Sequence, residues 1–429
     1  MKVLMFGWEF PPHISGGLGT ACLGIATGLA ANDVKVLFVV PKKHGNEDAE
    51  KIKVVGASDV EIPASSIHTE KLRETFSYFE VNSPVLPYHS PETFAASAKT
   101  TTVTSSQTTS RPVMRYPFTG GYGKDLMKEI WQYALTAVTI ATQHDFDVIH
   151  VHDWLTFPAG IMARAVSGKP LIVHVHATEF DRSGNNINTQ VYETERLGML
   201  KADKVIAVSE LTRRIIIDRY FIPADKVVTV HNAVLPVAGI QKSLPSKNFK
   251  EKVITFAGRI TYQKGPAYFI EAAAKILKVD KSFRFVMAGS GDMLKAMISY
   301  AAQLRISRYF HFPGFLKEAE LNKLLTISDV FVMPSVSEPF GIIPLEAIRA
   351  GVPVIISRQS GVQEVLQYAL KIDSPDTFDM ANCIYALARY KGIHSLLKRE
   401  STQELNALSW EKQASHIKKI YDHLISMFY

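Results

Sequence analysis

The chain has 429 residues, of which 47% are hydrophobic and 21% are charged, so its composition is that of a folded globular protein and excludes a disordered one. Lys and Arg number 48 against 41 Asp and Glu, and the resulting net charge of +7 is scattered along the sequence. It therefore does not distinguish an anionic small molecule from a polyanion or an anionic membrane surface.

Cys22 and Cys383 are the only cysteines, and they lie far apart without C-x-x-C spacing. This excludes a disulfide scaffold and favours a cytoplasmic location. The first residues, MKVLMFGWEFPP, predict a strand, because their apolar run is too short for a signal peptide and leads directly to Glu9. No window approaches the ~18 uncharged apolar residues of a transmembrane helix, so we expect membrane association to be peripheral at most.

Short β-branched runs alternate with segments of helical period through the first half of the chain. The predicted strands are Val3–Phe6, Val34–Val40, Val148–Val151, Leu171–His176, Val205–Val208 and Val227–Val230. The predicted helices are Leu18–Ala31, Leu126–Thr142, Phe157–Val166 and Leu211–Tyr220. Nearly continuous apolar strands between helices predict a parallel sheet that is covered on both faces.

Two polar segments interrupt this pattern. Residues 97–112, SAKTTTVTSSQTTSRP, bury too little apolar surface to offset their ordering entropy, and they predict a mobile surface insertion. Residues 235–252 are rich in Pro, Ser, Lys and Gly and lack periodicity, which predicts a linker.

The alternation of strands and helices restarts after the linker. The predicted strands are Val253–Ala257, Arg284–Ala288, Val330–Met333 and Val354–Ile356. The predicted helices are Ala267–Leu277, Met293–Leu304, Glu318–Ser328 and Val362–Gln367. We therefore predict an α/β protein with two Rossmann-like, doubly wound parallel-sheet domains, residues 1–236 and 237–409, and a last helix, residues 410–429, long enough to pack back on the first domain.

Ligands of open α/β sheets bind at the carboxyl ends of the strands. After the first strand, Gly16 and Gly17 leave the backbone bare ahead of a helix, where free N–H groups can approach a phosphate. The loop matches neither a dinucleotide fingerprint nor a P-loop, so a plain tight turn is the alternative.

Two H-x-H pairs follow at the ends of later strands. His150 and His152 share one side of their strand, as do His174 and His176, and zinc could bind them with Asp153 as a further ligand. In the alternative interpretation, His150 and His174 are buried core residues, and only His152, Asp153 and His176 lie where a ligand binds.

In the second half, Arg259 and Lys264 bracket a short turn before a helix, which suits a diphosphate; two solvated surface cations are the alternative. Gly289 lies in the flexible turn after the next strand. Gly314 and Phe315 precede a further helix, where backbone groups could meet the edge of a nucleobase.

The stretch PSVSEPFGIIPLEAIRAG places two carboxylates around a glycine turn. Pro344 fits the first turn of a helix, so the turn through Gly341 and Ile342 offers free amides. Glu346 could accept hydrogen bonds from both hydroxyls of a ribose, while Glu338 lies nearer the sugar. The alternative is an exposed loop glutamate and a glutamate stabilised by the helix dipole.

Nearly the whole chain resembles the retaining glycosyltransferases of the GT-B fold, in the glycogen synthase-like and sucrose-phosphate-synthase-like group. GRITYQKG and SEPFGIIPLEA carry the resemblance most specifically, and GGLG, HDW and VHVHATEF agree in order. The resemblance implies two domains that close over a nucleotide-diphosphate sugar bound mainly to the second, and no required metal or other cofactor.

The resemblance also implies roles for individual residues. Arg259 and Lys264 would hold the diphosphate and stabilise its departing charge. Glu338 would hold the donor sugar, His176 would bond a sugar hydroxyl near the reacting centre, and Asp153 would help to set the sugar or acceptor. The implied donor-binding set is Gly16, Gly17, Gly289, Gly314, Phe315, Gly341, Ile342, Ile343 and Glu346.

The expected reaction is transfer of glucose from UDP-glucose or ADP-glucose, or of another hexose, to a growing α-glucan, because GWEFPPHISGGLGTA and HDW resemble glycogen synthases. The glycine loop lacks the Lys of the K-x-G-G-L motif of starch synthases, which counts against an ADP-glucose starch synthase. A hexosyltransferase with a lipid-linked or small acceptor, a metal-dependent hydrolase using the His-x-His pairs, and a non-catalytic sugar-binding protein remain alternatives. No nucleic-acid partner is expected.

Overall fold

The computed structural model of the chain describes residues 1–12, 16–45, 51–63, 113–123, 125–234 and 249–428. The predicted insertion at residues 97–112 lies outside these ranges, as does most of the predicted linker. Within them the chain forms two parallel sheets, each covered by helices, and a two-stranded antiparallel pair.

The first sheet has seven parallel strands in the order β3-β2-β1-β6-β7-β8-β9. Its strands are β1 Lys2–Phe6, β2 Lys35–Val40, β3 Ile52–Gly56, β6 Val148–His152, β7 Leu171–Val175, β8 Lys204–Ala207 and β9 Val227–Thr229. The antiparallel pair is β4 Ile62–Pro63 with β5 Val113–Met114. The helices of this half are α1 Gly17–Ala31, α2 Leu126–Gln143, α3 Phe157–Ser167, α4 Glu179–Ser183, α5 Thr189–Lys201 and α6 Glu210–Tyr220.

The second sheet has six parallel strands in the order β12-β11-β10-β13-β14-β15. Its strands are β10 Lys252–Ala257, β11 Phe283–Ala288, β12 Phe310–Gly314, β13 Val330–Met333, β14 Val354–Ser357 and β15 Leu370–Ile372. Its helices are α7 Pro266–Val279, α8 Leu294–Gln303, α9 Glu318–Ile327, α10 Ile343–Arg349, α11 Thr377–Arg389 and α12 Lys391–Ala407. The prediction of two Rossmann-like parallel-sheet domains is thereby confirmed.

The prediction of a helix at Val362–Gln367 is wrong. The structure has only a 3₁₀ turn, Gly361–Glu364, in its place. The first N–H groups of this turn donate to the loop after β13 instead of taking part in a helix. Gly361 N donates to the carbonyl of Glu338 at 2.9 Å, and Val362 N donates to the carbonyl of Phe340 at 2.8 Å.

The last helix, α13 Trp410–Phe428, packs on the first sheet rather than on the second. Together with α1 it covers the sheet face that carries Val148 and Ile172. Two helical glycines allow this close approach: a Cβ at Gly24 would lie 2.1 Å from the Trp410 ring, and a Cβ at Gly28 would lie 2.4 Å from its carbonyl oxygen. The polypeptide therefore passes between the two domains twice.

Candidate functional site

The loops at the carboxyl ends of the second sheet come together. Gly258 N donates to the carbonyl of Ala288 at 3.0 Å, and Gly289 N donates to that of Gly314 at 2.8 Å. A Cβ at Gly289 would lie 1.8 Å from the carbonyl oxygen of Gly258, and the φ of Gly289 is +139°, so only glycine fits at this crossing. Two of the predicted donor-binding positions, Gly289 and Gly314, are thus neighbours.

Lys264 and Glu338 form a half-buried ion pair at this edge. The ammonium of Lys264 donates to the carboxylate of Glu338, and the two side chains are 20% and 9% exposed. The hydroxyl of Ser335 also donates to this carboxylate, at 3.2 Å. The pairing requires the β10 and β13 loops to touch, and they do, because Gly265 packs so closely that a Cβ would lie 2.3 Å from the carbonyl oxygen of Pro334.

Arg259, the other predicted cation, is exposed. Within the described part of the chain its guanidinium has no ion pair or hydrogen bond. The ring of Phe315, directly after Gly314, is 58% exposed. Among the described residues, this edge of the sheet therefore presents the unpaired guanidinium of Arg259, the paired ammonium of Lys264 and the uncovered ring of Phe315.

Glu346 lies in the first turn of α10, after the turn in which Gly341 has a φ of +101°. Burial raises the pKa of its carboxyl, although the charge of Arg349 opposes the shift. No hydrogen bond to this carboxylate occurs among the residues that the structure describes. Ile342 and Ile343, between these positions, are half-buried, and Ile342 contacts the apolar clusters of both domains.

In the first domain, Asp153 supports the turn that carries His176. It adopts a φ of +60°, and its carboxylate accepts from the backbone N–H of His176 at 2.6 Å and of Ala177 at 3.3 Å. Burial raises its pKa to about 6. The Asp153 side chain is buried, at 7% exposure, and its carboxylate bonds to the backbone of this turn.

The four histidines form two hydrogen-bonded pairs between the sheet and its helices. His150 Nε2 lies 3.2 Å from His174 Nδ1, and His152 Nδ1 lies 3.0 Å from His176 Nε2. The hydroxyl of Tyr421 bonds to His150 Nδ1 at 2.5 Å. Burial lowers the pKa of His150 and of His176 to about 3, and it lowers the other two as well, so all four rings are neutral at pH 7.

These positions refine the sequence-based interpretation. His150 and His174 are buried, as the core alternative predicts, but His152 is also fully buried at 0% exposure, and only His176 is half-buried. Among the described residues, two sets of side chains have ligand atoms within 4.8 Å of one another: Cys22, His152 and His176, and also His150, His152 and His174. Asp153, the expected further zinc ligand, belongs to neither set.

Gly16 and Gly17 lie at the start of the first helix. Gly17 begins α1, and Gly16 precedes it as an N-cap without a side-chain cap. A Cβ at either position would meet no atom of the described residues within 4 Å. Both glycines are exposed, and the approach of a phosphate to their backbone stays a prediction.

Two residues that the sequence analysis missed join the domains beside Glu338. The hydroxyl of Ser337 donates to the carboxylate of Asp181 at 2.7 Å. Nearby, the hydroxyl of Ser209 donates to the carbonyl of Pro339 at 2.6 Å. The SEPFG loop, residues 337–341, therefore contacts residues 176–181 (HATEFD) directly, which brings together the segments that carry Glu338 and His176. Ser337 and Asp181 were both detectable in the sequence, because Ser337 is the first residue of the SEPFG motif and Asp181 directly follows HATEF.

A buried ionic network holds the HATEFD loop. Arg182 bonds to the carboxylates of Glu179, at 3.1 Å, and Glu195, while Tyr220 also bonds to Glu195. Burial raises the pKa of Glu195 to about 7 against the opposing charge of Arg182. The network fixes the loop that follows His176, and nothing in the local sequence pattern reveals it.

Comparison with known families and proteins assigns both halves of the chain. Residues 15–236 match Glycosyltransferase Family 4, and residues 240–371 match Glycosyl transferases group 1. An uncharacterised glycosyltransferase of Methanocaldococcus jannaschii is 30% identical over 86% of this chain and 83% of its own length. Glycogen synthase of Mycobacterium tuberculosis is 24% identical over 98% of this chain and 94% of its own length.

A solved structure has the same fold. Sucrose-phosphate synthase of Thermosynechococcus elongatus superposes with a TM-score of 0.72 at 16% identity, over 99% of each chain.

Among the described helices, none has the length and apolar character needed to cross a membrane.

Proposed function

Because this chain belongs to the group 1 glycosyltransferases of the GT-B fold, we propose that it transfers a hexose from a nucleotide-diphosphate sugar with retention of the anomeric configuration. One observation carries the proposal: Lys264 and Glu338 meet at the carboxyl ends of the second sheet, directly beside the Ser337–Asp181 contact to the His176 loop. Charged groups from one domain and the polar turn of the other thus face a common site.

The donor is held by the second domain in this proposal. Arg259 and Lys264 bind the diphosphate, and Lys264 exchanges the carboxylate of Glu338 for a phosphate oxygen when the donor arrives. The carboxylate of Glu346, which accepts no hydrogen bond from the described residues, accepts from the ribose hydroxyls in this proposal, and the exposed ring of Phe315 lies against the base. The bare backbone at Gly16 and Gly17 approaches the phosphates from the first domain.

The chemistry needs no dedicated base. An oxygen of the acceptor forms a bond to C1 of the sugar on the face that the diphosphate leaves, the C1–O bond breaks, and its electron pair goes to the diphosphate. The acceptor proton passes to the departing phosphate oxygen. Arg259 and Lys264 stabilise the negative charge that develops there, and His176 bonds a sugar hydroxyl. These two cations supply the stabilisation, so the proposal requires no metal ion.

Glucose is the proposed sugar and an α-glucan the proposed acceptor. The support is the end-to-end similarity to glycogen synthase of M. tuberculosis, which covers 98% of this chain. UDP-glucose and ADP-glucose are both candidate donors in this proposal, and the reaction is placed in the cytoplasm.

The test is to incubate the purified protein with UDP-, ADP- and GDP-hexoses and with glycogen, and to measure the released nucleoside diphosphate. We expect release that depends on glycogen, and a product whose new linkage has the α configuration by proton NMR. A β linkage would contradict retention. Transfer only to lipid-linked acceptors, with flotation of the protein on anionic liposomes, would replace the glucan with a lipid acceptor.

A further inference from the structure

A buried cluster of sulfur and imidazole groups lies between α1 and the first sheet. We call Cys22, His150, His152, His174 and His176 the Cys–His cluster. Cys22 and the histidines of β6 and β7 are at most 1% exposed, whereas His176, just beyond β7, is half-buried. The proposed transfer reaction uses only His176 from this cluster.

The cluster contains polar atoms that have no partner in the described part of the chain. The Nε2 atoms of His152 and His174 are buried and make no hydrogen bond to any described residue. Buried polar atoms are almost always paired in folded proteins, and an unpaired one needs an explanation such as a bound ion.

Of the two sets with converging ligand atoms, the one with Cys22 suits a metal ion better. Cys22, His152 and His176 combine a sulfur with two imidazoles, the donors that zinc prefers, and half-buried His176 gives an ion a route from solvent. The set of His150, His152 and His174 is completely buried, and Tyr421 already occupies a ring nitrogen of His150.

We propose that Cys22, His152 and His176 bind a thiophilic divalent metal ion, Zn²⁺ being the model case, and that the bound ion inhibits the enzyme. The Cys22 thiol loses its proton to solvent as the S–Zn bond forms, and both imidazoles bind as neutral ligands. Three protein ligands would leave a fourth position of a tetrahedral ion to water. The inhibition part of the proposal rests on the proposed function, because an ion bound to His176 prevents that ring from bonding the donor sugar. The metal-binding part is independent of the proposed function.

Binding is tested with Co²⁺, whose thiolate complexes absorb strongly in the near ultraviolet. We expect a saturable thiolate-to-cobalt band with the unmodified protein, displaced by Zn²⁺, and stoichiometric zinc after dialysis. Cys22→Ala should abolish the band and weaken zinc binding at least about tenfold, whereas Cys383→Ala, which removes the distant cysteine, should change neither. Circular dichroism checks that both variants are folded.

The proposal is overturned if the unmodified protein shows no thiolate band, or if Cys22→Ala binds zinc as tightly as the parent. Inhibition is measured separately as glycosyl transfer at increasing Zn²⁺. Cys22→Ala should keep its transfer activity and require at least about tenfold more Zn²⁺ for half inhibition. If the Co²⁺ band forms but no donor is turned over without metal, the metal site is supported and the proposed function fails. If turnover is normal but no band forms, the proposed function is supported and the metal site fails.

Discussion

Lys264 has two possible anionic partners, the carboxylate of Glu338 and a phosphate oxygen of the donor. When the donor binds, its phosphate has to replace Glu338 as the partner of Lys264. In the structure its ammonium is bonded to Glu338 in a half-buried position, where the local dielectric strengthens the pair. Arg259 has no such partner in the described residues and is ready for an incoming phosphate. The sequence predicts both cations from the turn that they bracket, but not the pair with Glu338, because that contact depends on how two loops meet.

Loss of either cation should slow turnover. Lys264→Ala and Arg259→Ala are each expected to lower kcat by about 100-fold or more, since each removes a donor aimed at the developing charge. The measurement is release of nucleoside diphosphate at saturating donor. Lys295→Ala, an exposed lysine on α8, is the control and should leave kcat unchanged. Full activity in both cationic variants would show that the donor binds elsewhere.

His152 should act as a positioning residue for His176. If its Nδ1–H donates to His176 Nε2, the buried Nε2 of His152 is left as an unpaired acceptor, which is less unfavourable than an orphaned N–H. We therefore expect His176 to carry its proton on Nδ1, facing away from His152. ¹⁵N NMR of the free protein reads this tautomer directly.

Activity provides the second measurement for His152. His152→Phe should lower kcat by about 10- to 100-fold because the ring of His176 is no longer held in orientation. His152→Asn, whose side-chain N–H can replace the lost donor, should recover most of the loss. Equal losses in both variants, with an Nε2-protonated His176, would contradict the assignment.

At the scale of elements, α1 and α13 depend on two glycines. Gly24→Ala should destabilise the fold by about 1–3 kcal/mol, because the added methyl would lie within 2.1 Å of the Trp410 ring and force the helices apart. Urea denaturation followed by circular dichroism gives this free energy of unfolding. The matched control is Gly392→Ala in α12, where a Cβ meets no atom within 4 Å and stability should be unchanged or slightly higher. An equal response of both variants would exclude the packing explanation.

The elements that the sequence predicts correctly are those with a strong local signal. The central strands, such as β1 and β10, are continuous apolar runs. The helices α4 and α5 were not predicted, because their sequence is polar and their order depends on buried contacts of Arg182 and Glu195. In the candidate site, too, the motif residues were predictable, whereas the contact of Tyr421 with His150 and the pairing of the histidines required the fold.

At the scale of the whole molecule, Glu364 joins the domains. Its carboxylate, from the second domain, accepts from the N–H groups of Glu210 at 2.8 Å and Leu211 at 2.9 Å, at the start of α6, and bonds to His231 at 2.8 Å. Burial opposes ionisation, but these hydrogen bonds prevail and lower the pKa below the ordinary 4.5. Its stabilising contribution is therefore complete above pH 4.5 and is lost as the pH falls through the lowered value.

Glu364→Gln should reduce the free energy of unfolding near neutral pH, since the charged hydrogen bonds across the domains are lost. The difference between variant and parent should shrink at pH values below 4.5, where the parent carboxylate becomes protonated. Urea denaturation at a series of pH values measures this. A difference that does not change with pH would show that the charge of Glu364 is irrelevant to the interface.

The return of α13 to the first sheet means that the amino-terminal half is not a self-sufficient unit. A fragment ending at residue 236 would leave the apolar side of α1, including Ile25 and Leu29, exposed to water, and it should aggregate when expressed alone. A synthetic peptide of residues 409–429 should rescue its solubility in trans, with Ile417 and Leu424 filling the bared surface. The first domain is thus complete only when the last residues of the chain have been folded against its first helix.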